Sequence, residues 1–205
     1  MEEFWGVRDT TILFCEDAYK KSNYIAEYYN SLSGISYSLV GIYFLNTKFK
    51  NISYTLISLG IGTIFLHATQ RWYGQYLDEL SMLFLSFQVI EYLRKKQKQM
   101  TSYLWIPLGL SIYLHNYNFI FLFMFSTSQL YILFFLKKPL PKKNYKLTVQ
   151  IYNFIYKSTF IFSLILWLID QIFCIHVKPY YLHAWWHVGT SISIFFGLNE
   201  LLICQ

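Results

Sequence analysis

Across 205 residues, 55% of side chains are hydrophobic, 21% aromatic and only 14% charged, with a mean hydropathy of +0.33, a composition suited to lipid rather than water. The net charge of +6 is carried by basic loops and requires no nucleic-acid partner. Three cysteines, Cys15, Cys174 and Cys204, are too few and too dispersed for a disulfide framework or a thiolate metal site.

In chain order, residues 1–27 form a short polar and aromatic N-terminal segment without the order of a cleavable signal, so insertion is expected to begin with the first spanning helix. A helix needs about 20 apolar residues to cross roughly 30 Å of hydrocarbon. Seven stretches qualify: 28–47, 51–70, 77–93, 101–115, 117–136, 152–176 and 181–203. Backbone groups in lipid must be satisfied within the segment, which overrides the strand-favouring Ile, Tyr and Phe content. The fold expected is all-α and integral to the membrane, a seven-transmembrane helix bundle occupying 28–205. The fourth span is short, carries Pro107 and is set off from the fifth by a polar turn at 114–118, which leaves a re-entrant pair open.

The loops after spans one, three and five hold Lys48, Lys50, Arg94, Lys95, Lys96, Lys98, Lys137, Lys138, Lys142, Lys143 and Lys146. The opposite side holds only Arg8, Lys20, Lys21, Arg71 and Lys178. The positive-inside rule therefore places the N-terminus away from the cytosol.

Polar residues inside spans are costly and face the bundle interior. His183 and His187 are four residues apart, on one helix face about 6 Å apart along the axis. His67 near the end of span two and Asp78 at the start of span three belong to the same membrane side. Three imidazoles with one position left for water form the ligand set of a catalytic zinc, and Asp78 suits a general base. Thr63, four residues before His67, shares its face and can bond the metal site or a developing oxyanion. Blander roles compete. A lone membrane histidine usually bonds a neighbouring helix, and His115 and His176 are assigned there. Glu79 reads as a helix N-cap after the Trp72-Tyr73-Gly74-Gln75 turn. Asp170 and Glu200 have no evident partner.

The set Thr63-x-x-x-His67, Asp78 and His183-x-x-x-His187 resembles the signature of a seven-helix membrane hydrolase superfamily that includes alkaline ceramidases and adiponectin-type receptors. Leu77-Asp78-Glu79-Leu80-Ser81-Met82 is similar to the ceramidase Leu-Asp-Glu-Leu-Pro-Met segment, and His183-Ala-Trp-Trp-His187 with Thr190 matches that branch closely. Trp5-Gly6, Phe14-Cys15-Glu16-Asp17 and Tyr24-Ile25-Ala26-Glu27-Tyr28-Tyr29-Asn30 also look like ceramidase N-terminal motifs. The resemblance spans residues 5–196 and is strong in three islands.

It implies a ceramide amidohydrolase of an internal membrane, endoplasmic reticulum or Golgi. Zn2+ would be held by His67, His183 and His187, with Asp78 activating water and Thr63 assisting where the family usually has Ser. It also implies a Ca2+ site using Glu16, Glu27 and the Phe14 carbonyl, but Leu13 stands in place of the family's Asp and Ala18 in place of its Asn. Since calcium takes six to eight oxygens, a weaker or absent site is expected. Without calcium, Glu16 and Asp17 read as a solvated acidic turn, and Glu27 as a cap of the first span or a partner of Lys20 or Lys21. The alternatives within the superfamily are an adiponectin-type receptor, whose members usually carry a longer cytosolic N-terminal region, and another lipid-remodelling member.

Overall fold

A computed structural model describes residues 3–101, 118–136 and 143–204, with isolated helical positions at 106 and 109. Among the described residues all regular structure is helical. Helices α1 (Tyr28–Ser33) and α2 (Ile35–Phe44) make up the first expected span. Gly34 between them keeps helical angles, φ −57° and ψ −26°, so the chain direction is nearly continuous. A side chain at Gly34 would strike the Gly60 carbonyl and Thr63, and its absence lets this helix lie close to α3 (Lys50–Thr69).

Helix α4 runs from Trp72 to Lys96. It starts five residues before the expected span, so Glu79 lies in the helix body and is not an N-cap. The turn back from α3 is made by Gln70 in the left-handed region (φ 51°), whose N–H bonds the Leu66 carbonyl. Gly62 and Gly74 then allow α3 and α4 to pack backbone to backbone, since a Cβ on either would lie about 2.8–3.1 Å from main-chain atoms of the opposite helix.

Helix α5 (Asn118–Leu130) continues through a π turn at Tyr131–Phe135. Helix α6 (Lys146–Ile172) is followed by the short α7 (Cys174–Val177), and α8 (Leu182–Ile203) packs along α6. The fourth expected span, Pro107 and His115 lie outside the described residues. His176 is exposed on α7 rather than bonding between helices.

Helices α3 and α6 are each long and apolar enough to cross a membrane. Phe154, Ile161, Phe162, Ile165 and Ile172 of α6 face outward, an apolar exterior that water would not tolerate on this scale. These features mark the protein as membrane-associated.

Residues 3–27 lack regular structure and are stitched across the end of the bundle where α3 meets α4. Asp9 N–H bonds the Gln70 carbonyl at 3.1 Å, Ala26 N–H bonds Ala68 at 2.9 Å, and the Asp9 carboxylate accepts Trp72 N–H at 2.7 Å. Cys15 is disulfide-bonded to Cys174, whereas dispersion in sequence had argued against pairing. A separation of 159 residues is no obstacle once α6 and α8 bring the start of α7 over the same end. Cys204 is buried and takes no part in the disulfide. Glu200, unassigned from sequence, accepts a 3.0 Å hydrogen bond from Asn153 Nδ2 and ties α8 to α6.

Candidate active site

His67 sits in the last turn of α3, and His183 and His187 in the first two turns of α8. Their rings meet with centroids 4.6–5.1 Å apart. One nitrogen from each lies within 4.8 Å of the others, a spacing that fits one metal ion. All three side chains are buried.

The neighbours determine which nitrogens are available. The Glu27 carboxylate lies 2.5 Å from His67 Nδ1 and takes that N–H, so the lone pair is left on Nε2. His67 Nε2 is buried and has no hydrogen-bond partner, an arrangement that costs free energy unless something coordinates it. Ser33 Oγ donates its only proton to the Asn30 carbonyl at 2.7 Å, so toward His187 Nδ1, also at 2.7 Å, it can only accept. His187 Nε2 is thereby left with its lone pair. His183 Nδ1 is a second buried nitrogen without a partner. The donor set, all neutral imidazole, suits zinc among the divalent metals.

Thr63 lies one turn before His67 on α3, and its hydroxyl donates to Asp78 Oδ1 at 2.5 Å. Thr63 thus bonds the carboxylate rather than the imidazoles. Asp78, on α4, is buried and lines the same cavity as the histidines. These residues share the polar end of a cavity of about 530 Å3 that also takes in Gln75 and Glu79. The rest of its wall is mostly apolar, formed by residues such as Leu133, Phe134, Phe160, Leu164 and Trp167, with Ser126 and Gln129 among them. Trp186, between the histidines, is buried in that wall, whereas Trp185 faces outward. A second, smaller space of about 100 Å3 adjoins it and reaches Leu93 and Leu201 near the opposite end of the bundle.

The N-terminal segment closes the polar end. The Phe14 ring packs on His67 and His183 at 4.6 and 4.7 Å between centroids. Glu16 is buried, not a solvated turn, and its two oxygens accept the N–H groups of Tyr29 and Asn30 at 2.9 Å each, capping α1 from outside. Burial pushes the Glu16 carboxyl up from its ordinary range, and the backbone bonds partly offset this. Glu27 stands at the N-cap position of α1, as expected, but its carboxylate makes no capping bond and, among the described residues, pairs with no lysine. Besides His67, it accepts Asn30 Nδ2 at 3.1 Å and Gln70 Nε2. Asp17 pairs with Lys178 and Lys20, and Lys178 holds its carboxyl below the ordinary range. Asp170, at the end of α6, accepts the backbone N–H groups of His183 and Cys15 and so anchors both α8 and the segment.

The structure thus brings together His67, His183, His187, Asp78 and Thr63, as expected from sequence, and adds Ser33 and the bond of Glu27 to His67, which were not expected. Ser33 and His187 are 154 residues apart, and no local pattern announces such a bond.

Residues 6–204 match the sequence profile of the ceramidase family. The chain belongs to that family. Among its curated relatives are the alkaline ceramidase of Arabidopsis thaliana, 29% identical with all of this chain and 88% of the relative covered, and alkaline ceramidase YPC1 of Saccharomyces cerevisiae, 24% identical with 96% and 77% covered. Alkaline ceramidase 1 of Homo sapiens is 22% identical, with 99% and 86% covered. Membership of the ceramidase family makes the chain a hydrolase.

Proposed function

We propose that this ceramidase-family protein hydrolyses the amide bond of ceramide within a membrane, releasing a fatty acid and a sphingoid base, with one zinc ion held by His67, His183 and His187. The observation that carries this is the cavity itself, in which three imidazoles and Asp78 line a largely apolar space. Its volume falls within the roughly 300–1,000 Å3 typical of small-molecule sites. An amphiphile with its amide at the polar end and its chains along the apolar wall suits both ends.

Bound zinc supplies a lowered pKa for water, to about 7, and polarisation of the carbonyl it faces. Asp78 takes a proton from the attacking water and returns it to the leaving nitrogen. The carbonyl carbon thus gains hydroxyl and the nitrogen gains hydrogen, with no other reactant needed. Thr63 fixes the Asp78 carboxylate, while Glu27 and Ser33 fix the tautomers of His67 and His187. Phe14 covers two of the imidazoles and excludes water from that side.

Calcium does not fit the N-terminal turn. Leu13 and Ala18 offer no side-chain oxygen, and every Glu16 and Glu27 oxygen is already engaged by at least one N–H donor, so these two carboxylates and the Phe14 carbonyl fall short of a calcium shell. Asn30 Oδ1 is a buried acceptor without a partner, and one such oxygen is far from the six or more calcium takes. The Asp17 pairs with Lys178 and Lys20 hold this turn by charge instead. We assign seven spans, an N-terminus away from the cytosol and residence in an internal membrane of the endoplasmic reticulum or Golgi, on the positive-loop asymmetry and the family resemblance.

The test is metal analysis of the pure protein together with release of sphingoid base from ceramide. About one zinc per chain is expected, with both metal and turnover lost in His187→Ala. Asp78→Ala should keep the metal and lose turnover, and full turnover in that variant would remove Asp78 from the mechanism. Turnover unchanged by a calcium-selective chelator is expected; strong calcium dependence would reinstate the site at Glu16 and Glu27.

A further inference from the structure

We infer that Glu79 reads the sphingoid head of the substrate, accepting a hydrogen bond from the primary hydroxyl on the terminal carbon next to the amide-bearing carbon. This rests on the ceramide reading above and adds the element of recognition that the metal site lacks. Glu79 shares the polar end of the cavity with Asp78. The two follow each other on α4, with Cα atoms about 3.8 Å apart. Glu79 has no part in the histidine cluster and does not bond Thr63 or Asp78. As it lies within α4, capping does not account for it either.

One of its oxygens is held in place. Gln75, one turn earlier, donates to Glu79 Oε1 at 2.6 Å and to Thr11 Oγ1 at 2.5 Å, and its own carbonyl oxygen accepts Thr11 N–H at 2.9 Å. Both amide protons of Gln75 are thereby used, and the carboxylate is locked to the N-terminal segment. Glu79 Oε2 has no hydrogen-bond partner among the described residues. A carboxylate has about four acceptor positions, so this group can take further donors from inside the cavity.

Ceramide supplies such donors. The carbon carrying the amide nitrogen is flanked by hydroxyl-bearing carbons, and the amide itself must lie at the imidazoles and Asp78. A hydroxyl one carbon removed then falls toward the neighbouring carboxylate. A fatty acyl amide without that hydroxyl would leave Glu79 Oε2 without a donor in a largely apolar space, and this gives discrimination that the chain-binding wall cannot supply.

The experiment compares ceramide with 1-deoxyceramide on the intact protein, using wild type, Glu79→Leu and Glu79→Gln, with bound metal measured in each. Equilibrium binding of sphinganine and 1-deoxysphinganine is measured in parallel and requires no turnover. For wild type, a preference of about 10-fold or more for the hydroxylated member of each pair is expected. Glu79→Leu should abolish it by raising KM for ceramide about 10-fold, with kcat and metal content nearly unchanged and 1-deoxyceramide unaffected. Equal losses on both substrates, or a preference that survives, would overturn the assignment. Glu79→Gln keeps the shape of the side chain and should narrow the preference; an unchanged ratio in that variant is equally fatal, even if the leucine variant fails to fold. A wild type that binds the bases with this preference but cleaves neither amide would refute the hydrolase reading and leave the role of Glu79 standing.

Discussion

Replacing Gly62 by alanine should separate catalysis from metal binding, because α4 is the element that carries Asp78 while the three imidazoles sit on α3 and α8. A Cβ at Gly62 would stand 2.9 Å from Asp78 N, 3.0 Å from Asp78 Cα and 3.1 Å from Leu77 C, against 3.4–4 Å for ordinary contact. All three atoms are main chain, so no side-chain rotation relieves the clash. The helices must part by at least about 0.5 Å at Asp78, the proposed general base. A misplacement of about 1 Å can cost about 100-fold in rate, so about half of that predicts a loss near 10-fold. Stability should change less. Overpacking costs about 1–3 kcal/mol, and alanine regains up to about 1 kcal/mol of helix propensity over glycine. The assay is ceramide turnover with metal content measured on the same samples. Gly197→Ala is the control, since its Cβ would meet only the Tyr156 ring at 3.2 Å, a side chain able to yield. Gly62→Ala with wild-type turnover would refute the proposed coupling of helix spacing to base placement. Loss of metal along with turnover would show that the close approach serves the histidines instead.

Glu27→Gln should lower metal affinity about 10- to 100-fold, because an amide neither fixes the His67 tautomer nor raises its basicity as a carboxylate does; competition with a chelator measures this, and unchanged affinity would dismiss the Glu27–His67 bond as incidental. Reduction of Cys15–Cys174 should lower the thermal midpoint, with chain-entropy cost of at most about 5 kcal/mol for a closed loop of this length, and a Cys15→Ser, Cys174→Ser double variant should no longer respond to reductant. Asp17 has a carboxyl pKa lowered chiefly by Lys178, so its contribution is present above the unfolded value of about 4 and disappears as pH falls toward the lowered folded value. Asp17→Asn should flatten the acid limb of the stability profile, by less than about 1 kcal/mol because the pair is exposed.

Much of the bundle was legible in the chain because lipid enforces a simple rule. Expected spans 51–70, 117–136 and 181–203 differ by a residue or so from the observed Lys50–Thr69, Asn118–Phe135 and Leu182–Ile203. The errors have local causes. Helix α4 starts early because Arg71, in extended conformation, already serves as its N-cap, and a polar Trp-Tyr-Gly-Gln turn of helix looks like loop when only hydropathy is followed. Helix α6 starts six residues early for the same reason, its first turns being mixed in polarity.

That His67, His183, His187, Asp78 and Thr63 lie together was legible in the chain, because a spacing of four on a helix places side chains on one face and intramembrane polar groups are too costly to be incidental. Tertiary structure alone decided what each of them bonds. Glu27 reaches His67 across 40 residues, Ser33 reaches His187 across 154, and Cys15 reaches Cys174 across 159. Such partners are fixed by how helices and the N-terminal segment close over the bundle end, where each buried donor and acceptor must find whichever complementary group packing has brought within reach.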